Sequence, residues 1–193
     1  MDSFYALALG YVLGSVPFGL ILTNLFGAGD LRSIGSGNIG ATNVLRTGSK
    51  GLAAATLLLD LLKGLAGVLL AQRWFPEFPG FAALGAVLGH CFPVWLRFKG
   101  GKGVATTMGV ALGLAWPLGA VYAATWLVML AITRISSLSG MTAAVALPIA
   151  AAVLGRWELV PVLAAIALIV LQLHRANIAR LRAGTEPKVG AKS

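Results

Sequence analysis

Apolar residues fill long stretches of this chain, and polar residues gather in a few short ones between them. The apolar stretches run roughly 3–26, 51–72, 78–96, 104–132, 138–155 and 157–173. Runs near ~20 apolar residues are long enough to cross a hydrocarbon core of ~30 Å as helices. As one helix, 104–132 would be about 42 Å long, and Trp116-Pro117 interrupts it near the middle. It therefore reads as two short segments. Whether these are two full crossings or a re-entrant pair is left open. The pattern predicts an all-α, polytopic membrane bundle of about seven transmembrane helices, forming one domain over 1–193. Asp2 and the lack of basic residues before the first apolar run fit a first span rather than a cleaved signal peptide.

Charge orients the bundle. With the N-terminus outside and seven spans, the cytoplasmic side receives Arg32, Arg46 and Lys50, then Arg97, Lys99 and Lys102, then Arg134, then Arg175, Arg180, Arg182, Lys188 and Lys192, twelve of the 15 basic residues. Arg73 and Arg156 fall outside and Lys63 lies within a span. Six spans would export the basic tail, against the positive-inside rule. The C-terminus is thus expected in the cytoplasm, with the tail after Gly184 loosely ordered.

Only 11% of residues are charged and 58% are hydrophobic, where a soluble domain carries roughly 25% charged residues. No soluble domain remains once the spans are removed, so the net charge of +9 is read as topology, not as a nucleic-acid surface. Gly10 and Gly14, Gly85 and Gly89, and Gly109 and Gly113 are spaced for close helix packing. Cys91 is the single cysteine, which rules out an intrachain disulfide. It adjoins His90, but neighbours on a helix do not face each other.

Two polar, glycine-rich segments carry the candidate chemistry. The first, from Ser33 to Arg46, offers Ser33, Ser36, Asn38, Thr42, Asn43 and Arg46 around Gly35, Gly37 and Gly40. The second offers Lys99 and Lys102 around Gly100 and Gly101, with His90 just inside the preceding span. Backbone N–H groups, hydroxyls, amides and cations with almost no carboxylate form a phosphate site. At a membrane surface, that chemistry suits an enzyme joining a soluble phosphate compound to a lipid. Gly35 to Gly40 matches G-x-G-x-x-G, but a membrane helix precedes it and no β-rich region follows, so a dinucleotide fold is rejected. A third segment, His174 to Arg180, extends the last helix, where Asn177 is placed to meet the site. Arg175 and Arg180 read as side chains that reach for water. Asp60 and Lys63, at i and i+3 inside the second span, read as a structural ion pair. Asp30 and Glu186 are the only acids on the proposed cytoplasmic side, and two histidines with one cysteine make no ordinary zinc site. No metal and no cofactor are expected.

At these segments the chain resembles the bacterial acyl-phosphate:glycerol-3-phosphate acyltransferases, integral membrane enzymes that make lysophosphatidic acid. The motif S-x-G-S-G-N-x-G-A-T-N-x-x-R is met from Ser33 to Arg46. G-H-x-x-P-x-x-x-x-F-K-G-G-K-G-V-A-T is met from Gly89 to Thr106, and H-R-x-N-I-x-R-L-x-x-G-x-E from His174 to Glu186. Asp60-x-x-Lys63-Gly64 also fits, while Trp95 and Arg97 depart at variable positions. The resemblance spans essentially the whole chain. It implies a donor, acyl phosphate, an acceptor, glycerol 3-phosphate, and a separate soluble enzyme that makes the donor. It also implies a multi-pass protein of the bacterial inner membrane, surrounded by membrane lipids, with its site on the cytoplasmic side and no nucleic-acid partner.

Ser36, His90 and Lys102 are the expected catalytic residues. Arg46, Lys102 and Asn177 are assigned to glycerol phosphate and the Gly35–Asn43 loop to the donor headgroup, with the acyl chain in a groove between helices. His90 is the best side-chain base by type, and a substrate phosphate oxygen is the alternative acceptor. An acyl-enzyme on Ser36 is a rival route. The His-x-x-x-x-Asp pair of other glycerolipid acyltransferases is missing, since Trp95 and Ala179 stand at the acid's place. A transporter would place its polar groups at the midplane and often show inverted repeats. A scaffold would need no such donors.

Overall fold

The computed structural model describes residues 1–190, and among them every regular element is helical. Lys192, counted on the cytoplasmic side by the sequence, lies outside the described residues. Helix α1 (Asp2–Gly14) stops before Ser15-Val16-Pro17 and α2 (Phe18–Leu25) resumes after it. Proline donates no N–H and disfavours the helical conformation of the residue before it, so the first span is a broken one. After a short α3 (Ala41–Val44), α4 (Lys50–Trp74) begins where the Ser49 hydroxyl accepts the Leu52 N–H at 3.3 Å. Helix α5 (Pro79–Cys91) carries proline in its first turn, where no donor is lost, and ends before Pro93.

The break foreseen in 104–132 is present. Helix α6 (Val104–Leu114) ends at Ala115, whose extended φ of −164° separates it from α7 (Trp116–Thr133). Helix α7 folds back on α6. A side chain at Gly119 would overlap Leu112, and the Tyr122 hydroxyl donates to the Val104 carbonyl at 2.9 Å. Helices α8 (Ser136–Val153), α9 (Val160–Leu173) and α10 (Arg175–Arg182) complete the chain, with α10 bent 61° from the stretch before it. Among the described residues, five stretches are long and apolar enough to cross a membrane: 2–25, 50–74, 79–96, 116–133 and 136–153. A sixth follows if the bent pair ending in α10 is one span. The 11 residues of α6 reach only about 16 Å.

The glycine pairs act as packing faces. Methyl groups at Gly10 and Gly14 would overlap the carbonyls of Ala82 and Ala86, and at Gly85 and Gly89 those of Leu7 and Tyr11, so α1 and α5 touch backbone to backbone. Gly109 lies on the Leu61 carbonyl and Gly113 on Val68, which seats α6 against α4. Val68, Val87, Val110, Leu118, Leu147, Leu163 and Ile166 close the core between α4 and α9. Large apolar side chains such as Ile132 and Val153 face outward, as they do when lipid is the solvent.

The tail is more ordered than the sequence implied. The Thr185 N–H donates to the Arg180 carbonyl at 2.9 Å, and the Val189 N–H to the Arg134 carbonyl at 2.7 Å. The Arg134 guanidinium returns a bond to the Val189 carbonyl at 3.1 Å. These contacts join the tail to the α7–α8 turn, which composition alone did not reveal.

Candidate active site

The first polar loop is a folded object rather than a flexible one. Leu31, Ile39 and Val44 are buried against Leu20 and Ala53 and anchor it to α2 and α4. Asp30 pairs with Arg32 at 2.8 Å and accepts the Arg32 N–H at 2.9 Å, starting a 3-10 turn. The buried Asn43 amide then braces the loop. Its Nδ2 donates to the carbonyls of Leu31 (2.9 Å) and Ile34 (3.1 Å), and its Oδ1 accepts the Ser36 N–H (3.3 Å). Asn38 Oδ1 accepts the Gly40 N–H at 2.9 Å, and the Gly37 N–H donates to the Ile34 carbonyl at 2.9 Å. Gly35 has φ +54°, and a side chain there would overlap the Arg46 guanidinium. Arg46 thus lies directly beneath the turn that presents Ser36. Ser33 donates to the Asp30 carbonyl at 2.8 Å, and Thr42 Oγ1 lies 3.4 Å from Ser136 Oγ at the start of α8.

The second loop folds back onto the end of α5. The N–H groups of Gly100 and Gly101 donate to the carbonyls of Cys91 (3.1 Å) and His90 (3.0 Å). A Cβ at Gly101 would strike the His90 ring at Nε2, so only glycine fits. His90 is 4% exposed, and its Nδ1 lies 3.6 Å from Asp60 Oδ1. Asp60 and Lys63 pair at 2.7 Å, and Lys63 Nζ also donates to the Val16 carbonyl at 2.7 Å, at the break between α1 and α2. The pair ties α4 to that break.

The third segment joins the second. Lys102 Nζ donates to Asn177 Oδ1 at 2.5 Å, and Asn177 Nδ2 to Glu186 Oε1 at 2.6 Å. Glu186 also accepts from Ser137 Oγ (2.6 Å) and Arg180 Nε (2.7 Å). Burial favours the neutral acid, but the bonds from Ser137, Asn177 and Arg180 and the Arg180 charge hold the Glu186 carboxyl below the usual range. Lys102 is held below the ordinary lysine value. Burial acts first, then the charges of Arg180 and Arg46, opposed by Glu186. His174 is buried, with Nδ1 2.7 Å from the Val170 carbonyl.

These segments enclose one cavity of about 310 Å³. Ser36 and Asn38 line it from the first loop, Lys99, Gly100, Gly101 and Lys102 from the second, and Arg175 and Arg180 from α10. Phe92, Phe98 and Leu173 give it an apolar side. Asn177 and Arg46 stand just behind this wall. Asn177 is bonded to Lys102, and Arg46 is close enough for its charge to act on that lysine. Ser33, Gly35, Gly37, Gly40, Thr42, Asn43 and His90 are not among the lining residues. Sequence reasoning passed over the roles of Arg180, Ser137 and Glu186. The signal was available in Glu186, a carboxylate placed among cations.

A family model described as glycerol-3-phosphate acyltransferase matches residues 4–184. A glycerol-3-phosphate acyltransferase from Novosphingobium aromaticivorans is 72% identical over 192 residues, covering 100% of this chain and 98% of that protein. One from Erythrobacter litoralis is 62% identical over 192 residues, with the same coverage. Among solved structures, the chain is similar to PlsY, an integral membrane glycerol 3-phosphate acyltransferase, in its glycerol 3-phosphate form. The TM-score is 0.92 at 35% identity, over 98% of this chain and 96% of that one. The lysophosphatidic acid form gives 0.90 at 34% identity, with the same shares covered. Motifs, helical architecture and relatives agree along nearly the whole length, and the chain belongs to the glycerol-3-phosphate acyltransferase family.

Proposed function

We propose that this acyltransferase takes a long-chain acyl group from acyl phosphate and gives it to the sn-1 hydroxyl of glycerol 3-phosphate. The products are lysophosphatidic acid and inorganic phosphate. The observation that carries the reading is the cluster of Lys102, Arg180 and Arg46, whose mutual repulsion at Lys102 a phosphate dianion would relieve, beside the apolar wall of Phe92, Phe98 and Leu173. The cationic part of the lining suits phosphate and the apolar part suits an alkyl chain.

The hydroxyl oxygen attacks the acyl carbonyl carbon, the bond from that carbon to the phosphate oxygen breaks, and the hydroxyl proton leaves on the phosphate. Acyl phosphate is already activated, so positioning supplies much of the rate, about 7–11 kcal/mol where alignment is good. Lys102, fixed by Asn177, and Arg46 hold glycerol phosphate. The Gly35–Asn43 loop holds the donor headgroup, with Ser36 orienting a reacting oxygen. His90 is buried against Asp60 and Gly101, which favours the phosphate oxygen as proton acceptor. Lys99, Lys102 and Arg180 on the lining, with Arg46 behind it, balance the charge without a metal. The site would face the cytoplasm from the bacterial inner membrane, within reach of a soluble enzyme that makes the donor.

Purified protein given palmitoyl phosphate and glycerol 3-phosphate, with EDTA present, should release phosphate and lysophosphatidic acid in equal amounts. Turnover only with acyl-CoA or acyl carrier protein would overturn the donor, and an ester trapped on Ser36 would favour the acyl-enzyme route.

A further inference from the structure

The second polar loop is shaped by residues that stand outside the cavity. After α5, Pro93 stops the helix and a 3-10 turn at Val94–Leu96 leads to Arg97 and Phe98, with φ of 52° and 61°. Two consecutive non-glycine residues in the left-handed region persist only where the surroundings over-determine them. Three bonds from α1 and its end do so here. The Tyr11 hydroxyl donates to the Phe92 carbonyl at 2.7 Å and accepts the Val94 N–H at 3.1 Å, bracketing Pro93. The Trp95 indole N–H donates to the Ser15 carbonyl at 2.9 Å. That carbonyl is available because the helix breaks at Val16-Pro17. Neither Tyr11 nor Trp95 lines the cavity, whereas Phe92, Phe98 and Lys99 do.

We propose that Tyr11 and Trp95 are positioning residues that hold the Phe98 ring and the Lys99 ammonium side by side for the acyl donor. The inference rests on the acyl-phosphate reading. The donor is an amphiphile whose alkyl chain begins next to a phosphate, and an apolar ring beside a cation matches that junction. Phe98 is 60% exposed, so its ring is open to such a contact. Glycerol 3-phosphate has no apolar part and gains nothing from Phe98. The brace therefore acts on one substrate only.

Tyr11→Phe removes the hydroxyl and keeps the ring, and Trp95→Phe removes the indole N–H and keeps an aromatic side chain. Trp95→Phe, which loses one hydrogen bond, should raise KM for palmitoyl phosphate by about fivefold, and Tyr11→Phe, which loses two, by at least as much. KM for glycerol 3-phosphate and kcat should stay within about twofold. The double variant should fall short of the product of the two, because both side chains hold one turn. Amides of 94–101 should exchange faster with deuterium in either variant, while those of α9 keep their rate. Unchanged donor KM and unchanged exchange would overturn the inference, and so would equal rises in both KM values. If the unmodified protein does not use palmitoyl phosphate, the donor reading fails by itself, and the exchange experiment still decides whether the brace exists.

Discussion

Burial and the charges of Arg180 and Arg46 all disfavour the ammonium of Lys102, with Glu186 opposing them. The sign of the consequence is fixed. A cation whose pKa lies below 10.5 loses its charge earlier as pH rises. The affinity for glycerol 3-phosphate should therefore decline on the alkaline side before the ordinary lysine value is reached. Lys102→Arg keeps its charge throughout and should flatten that limb. Lys102→Met should raise KM for glycerol 3-phosphate roughly thirtyfold at neutral pH, about 2 kcal/mol for a lost charge-assisted bond. Profiles of KM against pH for the three proteins check this, and identical alkaline limbs in Lys102→Arg and the parent would assign the titration elsewhere. The cations were legible in the sequence because residue type and position between spans already identify them. The amides were not. On paper nothing shows that Asn38 and Asn43 bond the loop's own backbone, while Asn38 also lines the cavity. Tyr11 was hidden for another reason: it sits in an apolar run, where nothing marks a tyrosine as a brace.

At the scale of elements, the contact between α1 and α5 rests on the absence of side chains. A methyl at Gly85 has the Leu7 carbonyl in its place, so the helices must separate to admit it. Gly85→Ala should destabilise the protein by about 1–3 kcal/mol, the usual cost of overpacking a tight interface. Gly51 in the first turn of α4 has open space around it, and Gly51→Ala should be neutral or stabilising by roughly 0.5 kcal/mol. Thermal unfolding in detergent separates the two, and equal midpoints would show that the glycine face is not what holds these helices. The pairing of glycines four apart was readable beforehand because it depends on periodicity alone. The break after Ala115 was readable too, since Trp116-Pro117 carries its cause within the sequence. The break at Ser15-Val16-Pro17 was equally marked by a proline, yet the run reads as continuous because apolar residues bracket it. Its carbonyls are satisfied from afar, by Lys63 at Val16 and Trp95 at Ser15, and such long-range partners leave no local trace. The ordered tail follows the same logic, because Arg134 and Val189 meet only once α7, α8 and α10 are packed.

For the molecule as a whole, the depth of the second loop follows from helix lengths. Helix α7 has 18 residues and α6 has 11, a difference of about 10 Å. The two run antiparallel and share their turn at Ala115, and Tyr122, well inside α7, bonds the carbonyl of Val104. Val104 therefore starts inward of Arg134, and the loop that carries Lys102 descends into the bundle. This accounts for the burial that lowers the Lys102 pKa and for a cavity walled by both cations and phenylalanines. It also bears on topology, since a short helix preceded by a sinking loop reaches the far surface where a short helix alone would not. Seven spans would make Trp116, 75% exposed at the turn, an interfacial aromatic on the outer side. In a Cys91→Ser background, a cysteine introduced at Trp116 should react with an impermeant thiol reagent in intact spheroplasts. Cysteines introduced at Arg32 and Arg134 should react only after lysis. That pattern makes α6 and α7 two full crossings and places the polar cavity inside. Protection at position 116 both before and after lysis would instead make them a re-entrant pair, and the bundle would cross the membrane fewer than seven times.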